Sequence, residues 1–319
     1  MKISVITPVY NRADCITDCM ESVTNATRGN IEIEHVICDD GSTDNTVDIV
    51  KKYALTHPHV ILQQLARNSG PNAARNKAIQ AAGGEWLLVL DSDDRFTPDA
   101  FLTCEKVMTE HPGYKHYMFN CDFSAGANLK YGDTHEFTFD DFLYGRVQSD
   151  FNHMFLRSTA LSLPFDNNVR VHEGIFYLRF YQLAGTMLYS HQVTVLCDRS
   201  RDDHASFYCR KTSDRALADD ILAKQLYISF FENELNATDP GRAILSDRLR
   251  HIYTNATLLG RYREAADSLA KIKSLNLPRP SRYATLCNKL HIGRPAWSIL
   301  KAGIKLRWKY RTLRGHRGL

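Results

Sequence analysis

Three carboxylates, Asp91, Asp93 and Asp94, stand with Ser92 directly behind an apolar run, WLLVL at 86–90. Carboxylates packed this closely repel one another unless a cation sits among them. Hard divalent ions take oxygen ligands and are commonly held by one or two carboxylates together with substrate phosphates. The apolar run has the length and uniformity of a strand buried on both faces. An Asp-x-Asp at the end of such a strand, where a parallel sheet opens its ligand crevice, points to a metal-bound nucleotide. The plainer alternative is a solvated acidic turn, because Asp and Ser are common turn formers. On this stretch alone the two readings carry equal weight.

The surrounding chain must place that turn. Residues 3–7 read as a first strand ended at Pro8, and 14–25 as a helix opened by Asp14 with Ile16, Met20 and Val23 on one face. Residues 34–38 give a second strand, stopped by Asp39, Asp40 and Gly41, and Ser42 or Thr43 caps a helix through Leu55. A third strand spans 60–65, and Asn68 to Pro71 turn into a helix over 72–82 that Gly83 and Gly84 stop. The Trp86 strand and a helix from Pro98 to Met108 complete four strand–helix alternations. That order predicts an α/β fold with a doubly wound, mostly parallel, Rossmann-like sheet.

Beyond His116 the alternation loosens. Strands are expected over 116–121, 151–156 and 187–197, helices over 138–144 and 173–183, and a polar loop over 201–213. Helices then dominate, at 214–235, 239–259, 262–274 and 295–312. The expected organisation is a domain over 1–212, with a nucleotide-binding half (1–125) and an acceptor half (126–212), followed by a helical appendage over 213–319.

At 319 residues and 44% apolar content the chain has ample material for a core, and no run approaches a membrane span. The opening MKISVITPVYNR is broken by Pro8 and has no small-residue cleavage site, so no signal peptide is expected. Eight cysteines without a CxxC pair suit a reduced, cytoplasmic protein. The net charge of +4 hides an asymmetry. Residues 271–319 hold 13 Lys or Arg and no acid; of the 40 basic residues, 27 then remain against 36 acidic ones in 1–270, a net of −9. An acidic body with a basic tail points to an anionic surface as the tail's partner.

Four stretches fall at strand ends in order: ITPVYNR (6–12), DDGSTDNT (39–46), NSGPNAARN (68–76) and DSDD (91–94). Together they resemble family 2 glycosyltransferases of the GT-A fold, closely over residues 1 to about 125 and more weakly to about 206. The resemblance implies an inverting transfer of one sugar from a nucleoside-diphosphate sugar, a UDP-sugar being favoured because a carboxylate at Asp39 accepts from an imide N–H. It implies that Pro8 and Tyr10 line the base pocket, core packing being the alternative for Tyr10. Asn68, Gly70, Arg75, Asp91 and Ser92 lie beside the donor, and Asp40 holds its loop through backbone N–H groups. Arg75 pairs with phosphate, with a nearby aspartate, or with both. Asp91 and Asp93 match the family's metal motif for Mn²⁺ or Mg²⁺, with Asp94 as an auxiliary or helix-capping residue.

The family's general base is the aspartate of a Glu-Asp pair opening a later helix. Here VHEGIFYLRFY (171–181) puts His172 on the Glu position and Glu173 on the Asp position, a departure from the pattern. Glu173 is taken as the base, with His172 as the competing base and a helix-terminal carboxylate as the inert alternative. In DRSRDDHASF (198–207), Arg199 fits a family arginine and His204 is the candidate metal or phosphate contact.

Over 295–317, Trp297, Leu300, Ile304 and Trp308 form one apolar stripe, and Ile299, Leu306, Tyr310 and Leu313 another, with Lys and Arg between. One stripe suits docking on the body and the other an anionic bilayer. A packed helix with a solvated basic face is the alternative, and no motif supports nucleic acid. The expectation is a peripheral enzyme on the cytoplasmic face of the membrane, acting on a glycan acceptor, polyisoprenoid-linked, in surface-polysaccharide synthesis. The rival from another class is a non-catalytic sugar-nucleotide-binding or scaffold protein on the same fold.

Overall fold

The structure, a computed structural model, describes residues 1–27, 31–169, 172–200 and 213–302. The chain divides into two compact units, Met1–Arg201 and Asp202–Leu319.

The first unit opens with β1 (Lys2–Val9), α1 (Ile16–Ala26), β2 (Glu32–Asp39), α2 (Thr46–Ala54), β3 (Val60–Gln64), α3 (Pro71–Ala81) and β4 (Trp86–Val89). It continues through β5 (Arg95–Phe96), α4 (Ala100–Glu110), β6 (His116–Cys121), α5 (Ala125–Asn128), β7 (Thr134–Thr138) and α6 (Phe139–Leu143). The last elements are β8 (Phe151–Leu156), α7 (Arg157–Ser162), α8 (Gly174–Ala184) and β9 (Thr186–Leu196). One sheet runs in the order β3-β2-β1-β4-β8-β6-β9-β5, with β7 paired to β9. Its first four strands are parallel; β8 runs antiparallel to β4 and β6, and β6 pairs parallel with β9. The sheet is therefore a mixed one whose parallel half carries the four motifs.

β1, β2 and β4 of that half are buried on both faces, as parallel strands between helices are, whereas the edge strand β3 is only partly buried. Successive residues alternate between two cores. Ile3, Val5, Ile33, Ile37 and Leu88 pack with Met20 and Phe101 on one face. Ile6, Val36, Cys38 and Leu87 pack with Ala74, Ala78 and Phe180 on the other. Leu87 and Leu88 are both fully buried, and truncating either to Ala costs about 2–5 kcal/mol.

Three expected boundaries moved for local reasons. β1 continues through Pro8, which was expected to end it. Peptide groups alternate along a strand, and the carbonyl of Ile6 already faces β4, accepting from Leu90 N–H at 3.1 Å. Pro8 faces the same side, beyond the last β1–β4 pair at Ile6, so its missing N–H breaks no ladder bond. α1 begins at Ile16 rather than at Asp14, because a turn in which Arg12 O accepts from the N–H groups of Cys15 and Ile16 comes first. α2 begins at Thr46, and Asp44, not Ser42 or Thr43, accepts the Thr46 N–H at 3.0 Å.

The second unit is helical, with helices Asp214–Asn236, Asp239–Leu258, Tyr262–Ser274 and Arg282–Lys289, and helical backbone over 293–302. Ser213, Thr238 and Ser281 cap three of these, each hydroxyl accepting the N–H three residues on. Helix Arg282–Lys289 was not expected. Residues 303–312 of the expected last helix lie outside the described residues.

Candidate active site

The site is built where the parallel strands end, and carboxylates tie its loops down. Asp39, at the end of β2, is buried and accepts the N–H groups of Gly41 and Ser42, both at 3.1 Å. Gly41 has φ +73°, and a Cβ there would lie 2.8–2.9 Å from the Arg67 and Asn68 backbone. Asp40 reaches the other way, accepting Ser69 N–H at 2.6 Å and Gly70 N–H at 2.8 Å. Gly70, with φ +100°, turns the chain into α3. Asn11, at φ +51°, accepts Thr43 N–H and donates its own N–H to Ser42 Oγ, both at 2.8 Å. The three motif loops are thus one hydrogen-bonded rim. Pro8 is buried beneath it, while the Tyr10 ring is 38% exposed and is a wall rather than core.

The acidic turn follows β4. The Asp91 side chain is 51% exposed, whereas that of Asp93 is 13% exposed with Arg12 Nη2 at 4.0 Å. Ser92 is buried, and its carbonyl accepts from the Cys15 thiol. Asp94 caps no helix; it accepts Asp198 N–H at 3.1 Å and the Cys197 thiol at 3.4 Å, tying the end of β9 to the turn. Burial, then the charges of Asp91 and Asp93, push the Asp94 carboxyl up to about 7.

Arg75 joins this turn to the far end of the unit. Its side chain is 8% exposed; Nη2 donates to Asp91 Oδ1 at 3.2 Å, and Nη1 lies 3.6 Å from Glu173 Oε2. Glu173 occupies the N-cap position of α8 but its side chain makes no capping bond. The segment ahead of it is pinned to α3. Asn72 Nδ2 donates to the carbonyls of Asp166 (3.1 Å) and Val169 (2.7 Å). Asn76 exchanges two bonds with the Phe165 backbone, donating at 2.8 Å and accepting at 2.9 Å. His172 is half-buried beside Glu173, its carbonyl accepting Ile175 N–H. Tyr177, one turn into α8, is shifted well above its ordinary value by burial, an effect the Arg75 charge opposes.

Asp91, Arg75 and Glu173 therefore meet, with Asp93 on the same turn as Asp91 and Asp39, Asn68 and Gly70 on the adjoining rim. His204 lies outside the described residues, and the Arg199 guanidinium sits over the Phe123 ring at 4.7 Å. Residue types alone did not single out Arg12, Asn72 or Asn76, although each lies inside a quoted motif. Among the described residues no three His, Cys, Asp or Glu side chains form a complete metal cage. Two hard carboxylates on one turn, crowded enough to raise a third, nonetheless fit a divalent ion that takes its remaining ligands from a bound diphosphate.

The site thus combines a mixed α/β sheet with a carboxylate pair on one turn and a separate carboxylate that Arg75 joins to it. The model of glycosyl transferase family 2 matches residues 4–180, more than half of the chain, and the chain belongs to that family. Over 103 residues it is 42% identical to the poly(ribitol-phosphate) beta-glucosyltransferase of Bacillus spizizenii, a stretch that is 32% of this chain and 16% of that protein. The chain thus spans well under two thirds of that relative's length. The S. aureus TarS 1–349 structure in complex with UDP-GlcNAc superposes with a TM-score of 0.58 at 20% identity, covering 92% of this chain and 90% of that one. The mannosyltransferase PcManGT of Pyrobaculum calidifontis, in complex with GDP-Man and Mn²⁺, gives 0.56 at 16% identity over 94% and 84%. Both likenesses establish the fold.

Proposed function

We propose that this protein is a metal-dependent, inverting glycosyltransferase that moves one sugar from a UDP-sugar to a glycan acceptor in cell-surface polysaccharide synthesis. The observation carrying this reading is that Arg75 joins Asp91 to Glu173 beyond the end of β4, with Asp93 on the same turn as Asp91. An acceptor hydroxyl attacks the anomeric carbon of the donor sugar while Glu173 takes its proton. The bond from that carbon to the β-phosphate oxygen breaks, and its electron pair leaves with the nucleoside diphosphate. Asp91 and Asp93 would hold Mn²⁺ or Mg²⁺, which when bound would neutralise charge on the departing diphosphate. Asp39 has carboxylate lone pairs beyond those its two backbone donors use, and these suit the imide N–H of uracil. Pro8 and the exposed Tyr10 ring flank the base, and Asn68, Gly70 and Ser92 complete the donor's surroundings.

The UDP-GlcNAc held by the TarS structure supports the choice of donor, and the Mn²⁺ of the mannosyltransferase structure supports the metal. The named activity of the Bacillus relative supports a surface-polymer acceptor. A lipid-linked acceptor on the cytoplasmic face is supported by the basic C-terminal segment, 295–317. In its described part Trp297 of one stripe is buried and Ile299 of the other is 75% exposed, while Leu300, on the Trp297 stripe, is 49% exposed. No helix among the described residues is long and apolar enough to cross a membrane, and their seven cysteines are free.

The test is nucleotide release from UDP-, dTDP- and GDP-sugars with Mn²⁺, with and without chelator and anionic vesicles carrying a polyisoprenoid-linked glycan. Chelator-sensitive release from a UDP-sugar, accelerated by those vesicles, is expected. Release that ignores chelator sinks the metal role, and preference for a GDP- or dTDP-sugar sinks the donor assignment.

A further inference from the structure

Arg75 is better placed to serve the base than the phosphate. Its guanidinium is buried and already engaged by two carboxylates from distant parts of the chain, Asp91 through Nη2 and Glu173 through Nη1. Nη1 also donates to Asn72 Oδ1 at 3.3 Å. The same helix face holds the segment leading to Glu173, through Asn72 on the Asp166 and Val169 carbonyls and Asn76 on the Phe165 backbone. The Arg75 guanidinium lies 5.6 Å from the centre of the Phe165 ring, which stacks on Phe176 of α8 at 3.8 Å. Three polar residues of NAARN (72–76) thus converge on the loop and helix that present one carboxylate.

We propose that Arg75 is a positioning residue that acts through Glu173. It fixes the base carboxylate relative to Asp91, and Asn72 and Asn76 fix the backbone that carries it. This inference rests on Glu173 being the base. A planar fork spans two carboxylates at once, which the point charge of lysine does not do. A misplacement of about 1 Å at a reacting group lowers turnover by about 10²-fold.

The experiment compares wild type, Arg75→Lys, Glu173→Gln and the double variant by UDP release, by calorimetry of a UDP-sugar with Mn²⁺, and by hydrogen exchange. Arg75→Lys is expected to lower kcat about 10–100-fold while donor Kd stays within about twofold. It adds nothing further in the Glu173→Gln background, because the two act as one unit. Exchange at the Ile175 and Tyr177 amides, at the start of α8, rises about tenfold or more in Arg75→Lys. Donor affinity falling with kcat kept makes Arg75 a phosphate clamp and overturns the proposal. So does a lowered melting temperature with kcat unchanged, which marks a purely structural role. Exchange needs no turnover, so the positioning claim is decided even where Glu173→Gln retains full activity and another group is the base. In that case the service of Arg75 to the base falls with the role of Glu173; faster exchange still shows that Arg75 holds the Glu173 segment in place, and unchanged exchange overturns the positioning as well.

Discussion

Two carboxylate centres, one in each unit, treat negative charge in opposite ways. In the second unit Asp214 receives the Trp297 indole N–H at 2.7 Å and the Lys301 ammonium at 3.0 Å, with Arg294 beside them. The indole N–H, then the two cations, hold its carboxyl well below the usual carboxylate range. In the first unit Asp91, Asp93 and Asp94 crowd one turn with Arg75 and Arg12 at its margins, and Asp94 is pushed up to about 7. A saturated centre holds structure together. On the proposed reading, a centre left with excess negative charge awaits a cation that arrives with its ligand, and trades stability for that capacity.

The comparison can be broken by neutralising each centre in turn. Asp93→Asn should abolish most turnover, by about 10³-fold for a loss of roughly 4 kcal/mol of charge stabilisation. It should also relieve crowding and raise the melting temperature by about 1–4 °C; a lowered melting temperature contradicts the view that the cluster is unsaturated. Glu173→Gln should cut kcat about 10²–10³-fold with donor affinity kept, and calorimetry beside initial rates checks both. Asp214→Ala reverses the pattern. It leaves the buried indole N–H without its acceptor and should cost about 1–3 kcal/mol in chemical denaturation, with UDP release per folded molecule unchanged.

Histidine supplies the smallest contrast, a buried group kept neutral. Burial lowers His35 to about 3, and His116 is lowered well below its ordinary value for the same reason. A base whose folded pKa lies below its unfolded value of about 6.5 binds fewer protons when folded. Its stabilising contribution is therefore full above pH 6.5 and is lost as pH falls toward 3. About 1 kcal/mol should be gone for His35 by pH 5.5, and His35→Gln should flatten that part of the stability–pH curve. Thr7 Oγ1, at 2.8 Å, is the partner that glutamine retains.

Parts of the first unit differ in how far the sequence announced them. In the parallel half, β1, β2 and β4 are mostly apolar and buried, and each strand is followed by one of the four motifs. Strands His116–Cys121 and Phe151–Leu156 were legible to the residue for the same reason. β5 was not, being two residues long, nor β7, where only Phe137 is buried. Periodicity needs more than one buried position to register. The capping of α2 was misread because Ser42 and Thr43 serve Asn11 instead, a bond between loops that no local pattern contains. Arg75 illustrates the same limit within the site. Its type suggested an anion, but which anion depends on the fold bringing Asp91 and Glu173 to one guanidinium, and no local pattern contains that.

The most direct test is calorimetry of a UDP-sugar with Mn²⁺, beside UDP release, on wild type, Asp93→Asn and Glu173→Gln. Wild type is expected to bind and release, Asp93→Asn to lose Mn²⁺-dependent binding, and Glu173→Gln to bind as tightly as wild type while turnover falls. Failure of wild type to bind any UDP-sugar in the presence of Mn²⁺, or full turnover by Glu173→Gln, would contradict the account.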